Sequence, residues 1–326
     1  MKAWLAGLLA ALFVAVLVAS PRTGRAQGYP DRLVKLVVAF PPGGPADALG
    51  RILGERLSVR WGQPVVIENR GGAGGNVAAA AVARAVPDGY TLLLNNSSHV
   101  VNASLADALP YDPVRDFTPI SEVAAYMLVL VVHPSMPVTT LAQFVDTARA
   151  QPGGLTVANA GTGTPTHLAA ALFGQAAGLN FVHLGYRGAA LATSDVVAGH
   201  VPAMFDNPVN AVPLARAGAL RALAVTGVKR LGLLSDVATI AELGYPGFET
   251  RSWFGLFGPQ GMAPQTVNRI YEDTRWALQD PDVSGKLAAQ GWDLVVSPPT
   301  RFATVLVQER DRWAATIRDA RIKPEN

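Results

Sequence analysis

The chain of 326 residues carries 27 basic and 24 acidic side chains, five histidines and no cysteine. Without cysteine there is no disulfide, thiol nucleophile or zinc–thiolate centre, so stability must come from an apolar core, which at this length usually divides in two. Lys2, Arg22 and Arg25 lie in the first 26 residues with no acid among them, which leaves 24 charges of each sign beyond; a balanced chain without a basic run gives no reason to expect nucleic acid or anionic lipid as a partner.

Lys2, the uncharged run 3–19 and the small residues around Ala26 read as an export signal cleaved after Ala26, with a retained membrane anchor as the competing reading. Residues 33–40 form a β-branched run typical of a buried strand, broken by Pro41-Pro42-Gly43-Gly44. Helical spacing covers 46 to about 60, with Gly62 as the stop. A strand at 65–68, the glycine run 70–75, an alanine-rich helix to about 86 with Asn76 as N-cap, and a strand at 90–94 follow. Strand–helix alternation of this kind predicts a parallel sheet with helices on both faces.

Residues 121–133 are apolar and extended, suited to crossing between two lobes. Thr140 and Gln143 make a capping box for a helix to about 150. The alternation then resumes, with strands at 155–158, 181–184, 201–205 and 220–226 and helices at 165–177, 189–198 and 208–217. Thr239 and Glu242 are placed to cap a short helix. A strand at 252–257 and helices at about 264–278, 281–290 and 300–321 finish the chain and are expected to complete the first lobe.

Two strand-to-helix turns about 120 residues apart carry the functional expectation. The first, AFPPGGPAD, holds Pro42, Gly43, Gly44, Pro45, Ala46 and Asp47; the second, AGTGTPTH, holds Gly161, Thr162, Gly163, Thr164, Thr166 and His167. Glycine lets backbone approach a ligand, and Pro45 and Pro165 fit the first helical position, where a missing N–H costs nothing. The unpaired N–H groups of a first turn, at the positive end of the helix dipole, attract anions. Thr164 suits an N-cap, the three threonine hydroxyls can donate to a carboxylate, and His167 can donate while neutral or pack against Tyr186. Asp206 falls at a strand's carboxyl end, where it faces a crevice or caps the helix from Pro208. Two such turns suggest two lobes gripping opposite ends of a small acid; the plainer alternative is a pair of tight connections with Asp47 and the threonines only as caps.

Other chemistry finds little support. Gly72 and Gly74 satisfy two positions of a dinucleotide-binding fingerprint, but Val77 occupies the third. No lysine precedes Ser or Thr, no GxSxG or HExxH motif occurs, and the histidines lack metal-site spacing, so no cofactor or metal is expected. Trp61, Trp253 and Phe254 read as packing aromatics.

Taken in order, YPDRLVKLVVAFPPGGPAD, ENRGGAGGN, PDGYTLLL, LPYDPVRDFTPI, GTGTPTHLAAALF, YRG, FDN, RALAVTG and SWFGLFGP resemble the Bug-type extracytoplasmic solute receptors, the binding components of tripartite tricarboxylate transporters. The resemblance implies a type II periplasmic binding protein: an α/β fold of two lobes, 27–127 with 227–326 and 128–226, joined by hinge crossings near 127–130 and 223–226. It implies a monomer in the periplasm, without catalytic activity, that passes a di- or tricarboxylate, acidic amino acid or aromatic acid to membrane permease subunits. It also implies that both turns hold carboxylates, that Tyr186, Arg187 and Gly188 line the cleft, and that Asp206 lies beside the ligand's middle or amino group. Ala46, Gly185 and Arg187 depart from the threonine, proline and lysine common in the family, which bears on substrate identity. Two other readings compete: an exported sensory receptor of the same fold, and a hydrolase or isomerase using Asp206 with His167.

Overall fold

A computed structural model describes residues 28–105, 108–319 and 322; the expected export signal, 1–26, lies outside the described residues. The first lobe begins with β1 (Val34–Val38), α1 (Pro45–Trp61), β2 (Val65–Asn69), α2 (Asn76–Ala83), β3 (Thr91–Asn96), α3 (Ser98–Leu105) and β4 (Phe117–Met127). The second holds β5 (Val129–Val132), α4 (Leu141–Ala150), β6 (Leu155–Asn159), α5 (Pro165–Ala177), β7 (Phe181–Gly185), α6 (Ala189–Val197), β8 (Ala203–Asp206), α7 (Pro208–Arg216) and β9 (Arg221–Val225). The chain then returns to the first sheet with β10 (Arg251–Pro259), α8 (Pro264–Gln279), α9 (Pro281–Ala288), β11 (Asp293–Leu294) and α10 (Pro299–Asp319).

The first sheet runs β11-β4-β10-β3-β1-β2 and the second β7-β6-β8-β5-β9. β1 lies parallel between β2 and β3, and β6 parallel between β7 and β8, so the turns that leave β1 and β6 emerge at the carboxyl ends of their sheets. In open α/β sheets these ends form the ligand crevice. Each sheet also has antiparallel pairings, β10 against β3 and β4 in the first and β5 against β8 and β9 in the second.

The crossings are narrow. The expected extended segment 121–133 is divided at Leu128, with β4 in one sheet and β5 in the other. Thr226, fully buried, ties both crossings together. Its Oγ1 accepts the Leu128 N–H at 2.9 Å and donates to Thr250 O at 2.7 Å, while its N–H donates to Leu128 O at 2.9 Å. One hydroxyl thus joins the residue between β4 and β5 to the residue just before β10, a compact pivot.

Three local expectations change. α3 was not foreseen, because its polar SHVVNASL sequence has no helical apolar stripe. Gly75, at φ 98°, is the cap residue of α2, and the Asn76 side chain instead accepts from Asn102 Nδ2 and Tyr111 Oη, both at 2.8 Å. Thr239 and Glu242 make the reciprocal capping pair, Glu242 N–H to Thr239 Oγ1 at 3.1 Å and Thr239 N–H to Glu242 Oε2 at 2.8 Å, but close a turn rather than a helix. Gly244 at φ 105° then interrupts any helical continuation. Trp253 packs edge-on against Phe302 of α10 at 5.4 Å, and Trp61 Nε1 donates to Asp273 Oδ2 at 2.7 Å, fastening α1 to α8.

Candidate functional site

Four helices start at one place. α1 begins after Gly44, α5 after Thr164, α6 after Gly188 and α7 after Asn207, and none has a capping side-chain hydrogen bond. Residues from all four starts line a cavity of about 190 Å³ between the sheets, with Phe40, Asn96, Tyr126 and Phe254 completing the wall. Tyr126 and Phe254 stack at 5.4 Å. Arg187 supplies the one charged side chain among the lining residues; it is exposed and has no ion pair or hydrogen bond among the described residues. Among the described residues no carboxylate lines this cavity. Positive helix ends, one free guanidinium and apolar walls suit an anion with a short carbon skeleton.

The two turns achieve their geometry alike. Gly43, at φ 84°, donates its N–H to Asp47 Oδ2 at 3.0 Å, and Gly163, at φ 73°, donates its N–H to His167 Nδ1 at 3.2 Å. Burial pushes the Asp47 carboxyl up, but hydrogen bonds from Arg51, at 2.9 Å, and from Gly43 outweigh it and hold the group below the usual range. His167 is driven down to about 3 by burial and by His183, whose ring lies 4.8 Å away, so the imidazole is neutral at physiological pH. Thr164 Oγ1 donates to Gly161 O at 2.6 Å and lies 3.0 Å from Thr166 Oγ1, which accepts the Ala160 N–H at 2.8 Å. The hydroxyls therefore stitch the second turn, and Thr164 does not cap the helix with its side chain.

Pro42, Gly44, Pro45, Ala46, Thr164 and Thr166 come together on the central cavity. Gly161, Thr162 and Tyr186 instead line a neighbouring cavity of about 550 Å³, opposite the glycine run 72–75; Arg187 and Gly188 border both. Gly43, Asp47, Gly163, His167 and Asp206 line neither cavity. The first four bind one another within their turns. Asp206 is fully buried: its Oδ2 accepts from Thr193 Oγ1 at 2.7 Å, and its Oδ1 from the Asn207 N–H at 2.7 Å and Asn210 Nδ2 at 3.3 Å. Burial raises its carboxyl to about 6 against those hydrogen bonds. His167 packs on His183 rather than on Tyr186, whose hydroxyl donates to Asp195 Oδ2 at 2.6 Å.

Sequence reasoning missed Asn96, Tyr126, Phe254 and Asn207 as lining residues. Asn207 carried a usable signal: Asn207-Pro208 repeats the residue-then-proline helix start of Gly44-Pro45 and Thr164-Pro165. The lobes meet closely around these cavities. A Cβ at Gly74 would fall 2.5 Å from Thr162 O, and one at Gly163 would fall 2.0 Å from Asn102 Oδ1. Among the described residues no group of three His, Asp or Glu is placed to hold a metal, and no helix is long and apolar enough to cross a membrane.

Two α/β lobes joined by two crossings, with an anion-attracting cavity at the carboxyl ends of both sheets, define a type II periplasmic binding protein fold. The model of the tripartite tricarboxylate transporter family receptor matches residues 49–322, and the chain belongs to that family. It is 36% identical to Protein BugT of Bordetella pertussis over 91% of this chain and 92% of that protein. It superposes on the R. palustris protein Rpa4515, solved with adipate, with a TM-score of 0.88 at 36% identity, covering 91% of this chain and 100% of that one. MatC (Rpa3494) from Rhodopseudomonas palustris, solved with malate, gives 0.85 at 32% identity, covering 89% and 100%.

Proposed function

We propose that this protein is a non-catalytic receptor that captures a small carboxylate between its lobes in the periplasm and hands it to the permease subunits of a tripartite tricarboxylate transporter. The observation that carries this reading is the convergence of four helix starts, none capped by a side-chain hydrogen bond, on one cavity that no carboxylate among the described residues lines. Backbone N–H groups hold an anion without a competing buried counter-charge, and closure strengthens those hydrogen bonds by removing water. Adipate and malate in similar receptors are carboxylates, in keeping with this chemistry.

In this reading Pro42, Gly44, Pro45, Ala46, Thr164 and Thr166 border the ligand and Arg187 draws it to the cleft. Residues 27–127 with 227–326 close on 128–226 about Leu128 and Thr226, and residues 1–26 direct export and are removed. Opening by the permease then releases the solute unchanged, and the receptor works as a monomer.

A thermal-shift panel of mono-, di- and tricarboxylates, acidic amino acids and aromatic acids tests the proposal. The cognate acid at 100 times its dissociation constant stabilises by about 2.7 kcal/mol. A panel without any shift would sink it, and turnover of a bound acid seen by NMR would favour the hydrolase or isomerase reading instead.

A further inference from the structure

Helix α5 is apolar on two faces. Phe173 packs among Phe144, Phe181 and Phe205 of its own lobe, at centroid distances of 6.5, 6.5 and 5.8 Å. Leu168 and Leu172 stand one turn apart on a common face of the same helix and pack elsewhere. Leu168 is 1% exposed, yet the buried residues it clusters with, Val101 and Leu105 of α3 and Trp313 and Ile317 of α10, all belong to the first lobe. Leu172, partly buried, packs against the same cluster. Trp313 is held in place by Glu309, whose Oε2 accepts the Trp313 Nε1–H at 3.2 Å, and by Arg312, 5.0 Å from its ring. None of the six apolar residues lines the central cavity, and of them only Leu105 borders the neighbouring one.

A leucine buried across a lobe boundary meets water when the lobes part. β6, which leads into α5, lies two strands from the crossing strand β5 in the second sheet, roughly 10 Å at the usual strand spacing. Rotation about Leu128 and Thr226 therefore carries α5 away from α3 and α10. We propose, resting on the reading that this protein captures its solute by closing, that the seam is a latch: an apolar contact made in the closed form alone, which sets how tightly any solute is held without touching it. α5 couples latch to site, since Thr164 and Thr166 border the central cavity at its start and Leu168 follows within a turn. Burying Leu168 favours the closed form by the same amount whatever the cavity holds. Apparent affinity scales with the fraction of protein in the binding-competent form, so the latch multiplies every affinity by one factor.

Calorimetric titration of the exported protein with the acids of the thermal-shift panel, among them succinate, malate, adipate and citrate, tests this beside urea unfolding without solute. Leu168→Ala is expected to weaken every acid that binds by one common factor, roughly tenfold to a hundredfold. It is expected to leave unliganded stability nearly unchanged, because Leu168 already faces water in the open form. Leu172→Ala is milder and lowers the same affinities together by a few-fold, which keeps the test open if the first variant fails to fold. Losses that differ from acid to acid would mean that the leucine reaches the solute and would overturn the latch. Unchanged affinity would mean that the seam is packed alike in both forms, and a common loss matched by an equal loss of unliganded stability would mean damaged folding; either overturns it too. All three outcomes leave the receptor reading intact. Failure of the whole panel to bind the parent protein would overturn both.

Discussion

In the first turn a glycine with positive φ gives its N–H to an acid four residues on; in the second an equivalent glycine gives it to a histidine. Each turn has proline at the first helical position, Pro45 and Pro165. Where the second turn has Thr164 and Thr166, the first has Gly44 and Ala46. Asp47 is ionised and places a negative charge at the start of α1, balanced by Arg51; His167 is neutral and itself places no charge at the start of α5. One backbone geometry therefore tolerates two electrostatic settings, and the second lobe, with Arg187 beside it, offers the more positive end to an anion.

The glycines give the sharpest way to separate the turns. Alanine at either position carries a backbone cost of about 1–2 kcal/mol from its left-handed conformation. A Cβ at Gly43 meets nothing within 4 Å, whereas one at Gly163 collides with Asn102 across the lobe seam. Gly163→Ala is therefore expected to weaken ligand binding by roughly tenfold to a hundredfold beyond Gly43→Ala through obstructed closure. Calorimetry with small-angle scattering measures both; equal losses would remove the distinction.

Acid separates the two partners next. Because burial holds His167 at about 3 against its usual 6.5, the unfolded chain takes up this proton first as pH falls. Stability is then lost between about pH 6.5 and 3, by about 2 kcal/mol from pH 7 to pH 5. Asp47 works in another window: its lowered carboxyl contributes fully above the usual 3.8 and is lost only below it. Buried His99, held near 4, adds to the same slope, so urea unfolding at pH 7 and 5 must compare the parent with His167→Asn and Asp47→Asn. The first variant flattens the slope and the second leaves it; identical slopes in all three would refute the assignment.

The smallest effect concerns the stitching hydroxyls that only the second turn has. Thr164→Ala loses the bond to Gly161 O and is expected to cost about 1 kcal/mol of stability, with binding changed only a few-fold. A loss of affinity far exceeding the loss of stability would show that the hydroxyl reaches the ligand.

Much of the architecture was legible because its signals are local. The helix expected at 165–177 is α5, since Pro165 starts it and Gly178, at φ 62°, stops it. The order of strands and helices and the ordered motif series also pointed to the family that the chain belongs to. Proline and glycine act on their own dihedral angles and apolar periodicity on adjacent turns, so neither needs the rest of the molecule. The site was only half legible for the opposite reason. Which N–H groups remain for a ligand depends on which are already taken, and Asp47, His167 and Thr193 take their places only once side chains are packed. Tyr126 and Phe254 become wall residues because β4 pairs with β10 across more than 100 residues of chain. The sequence determined where the backbone turns; hydrogen-bond saturation in the packed molecule decided which atoms remain to recognise a solute.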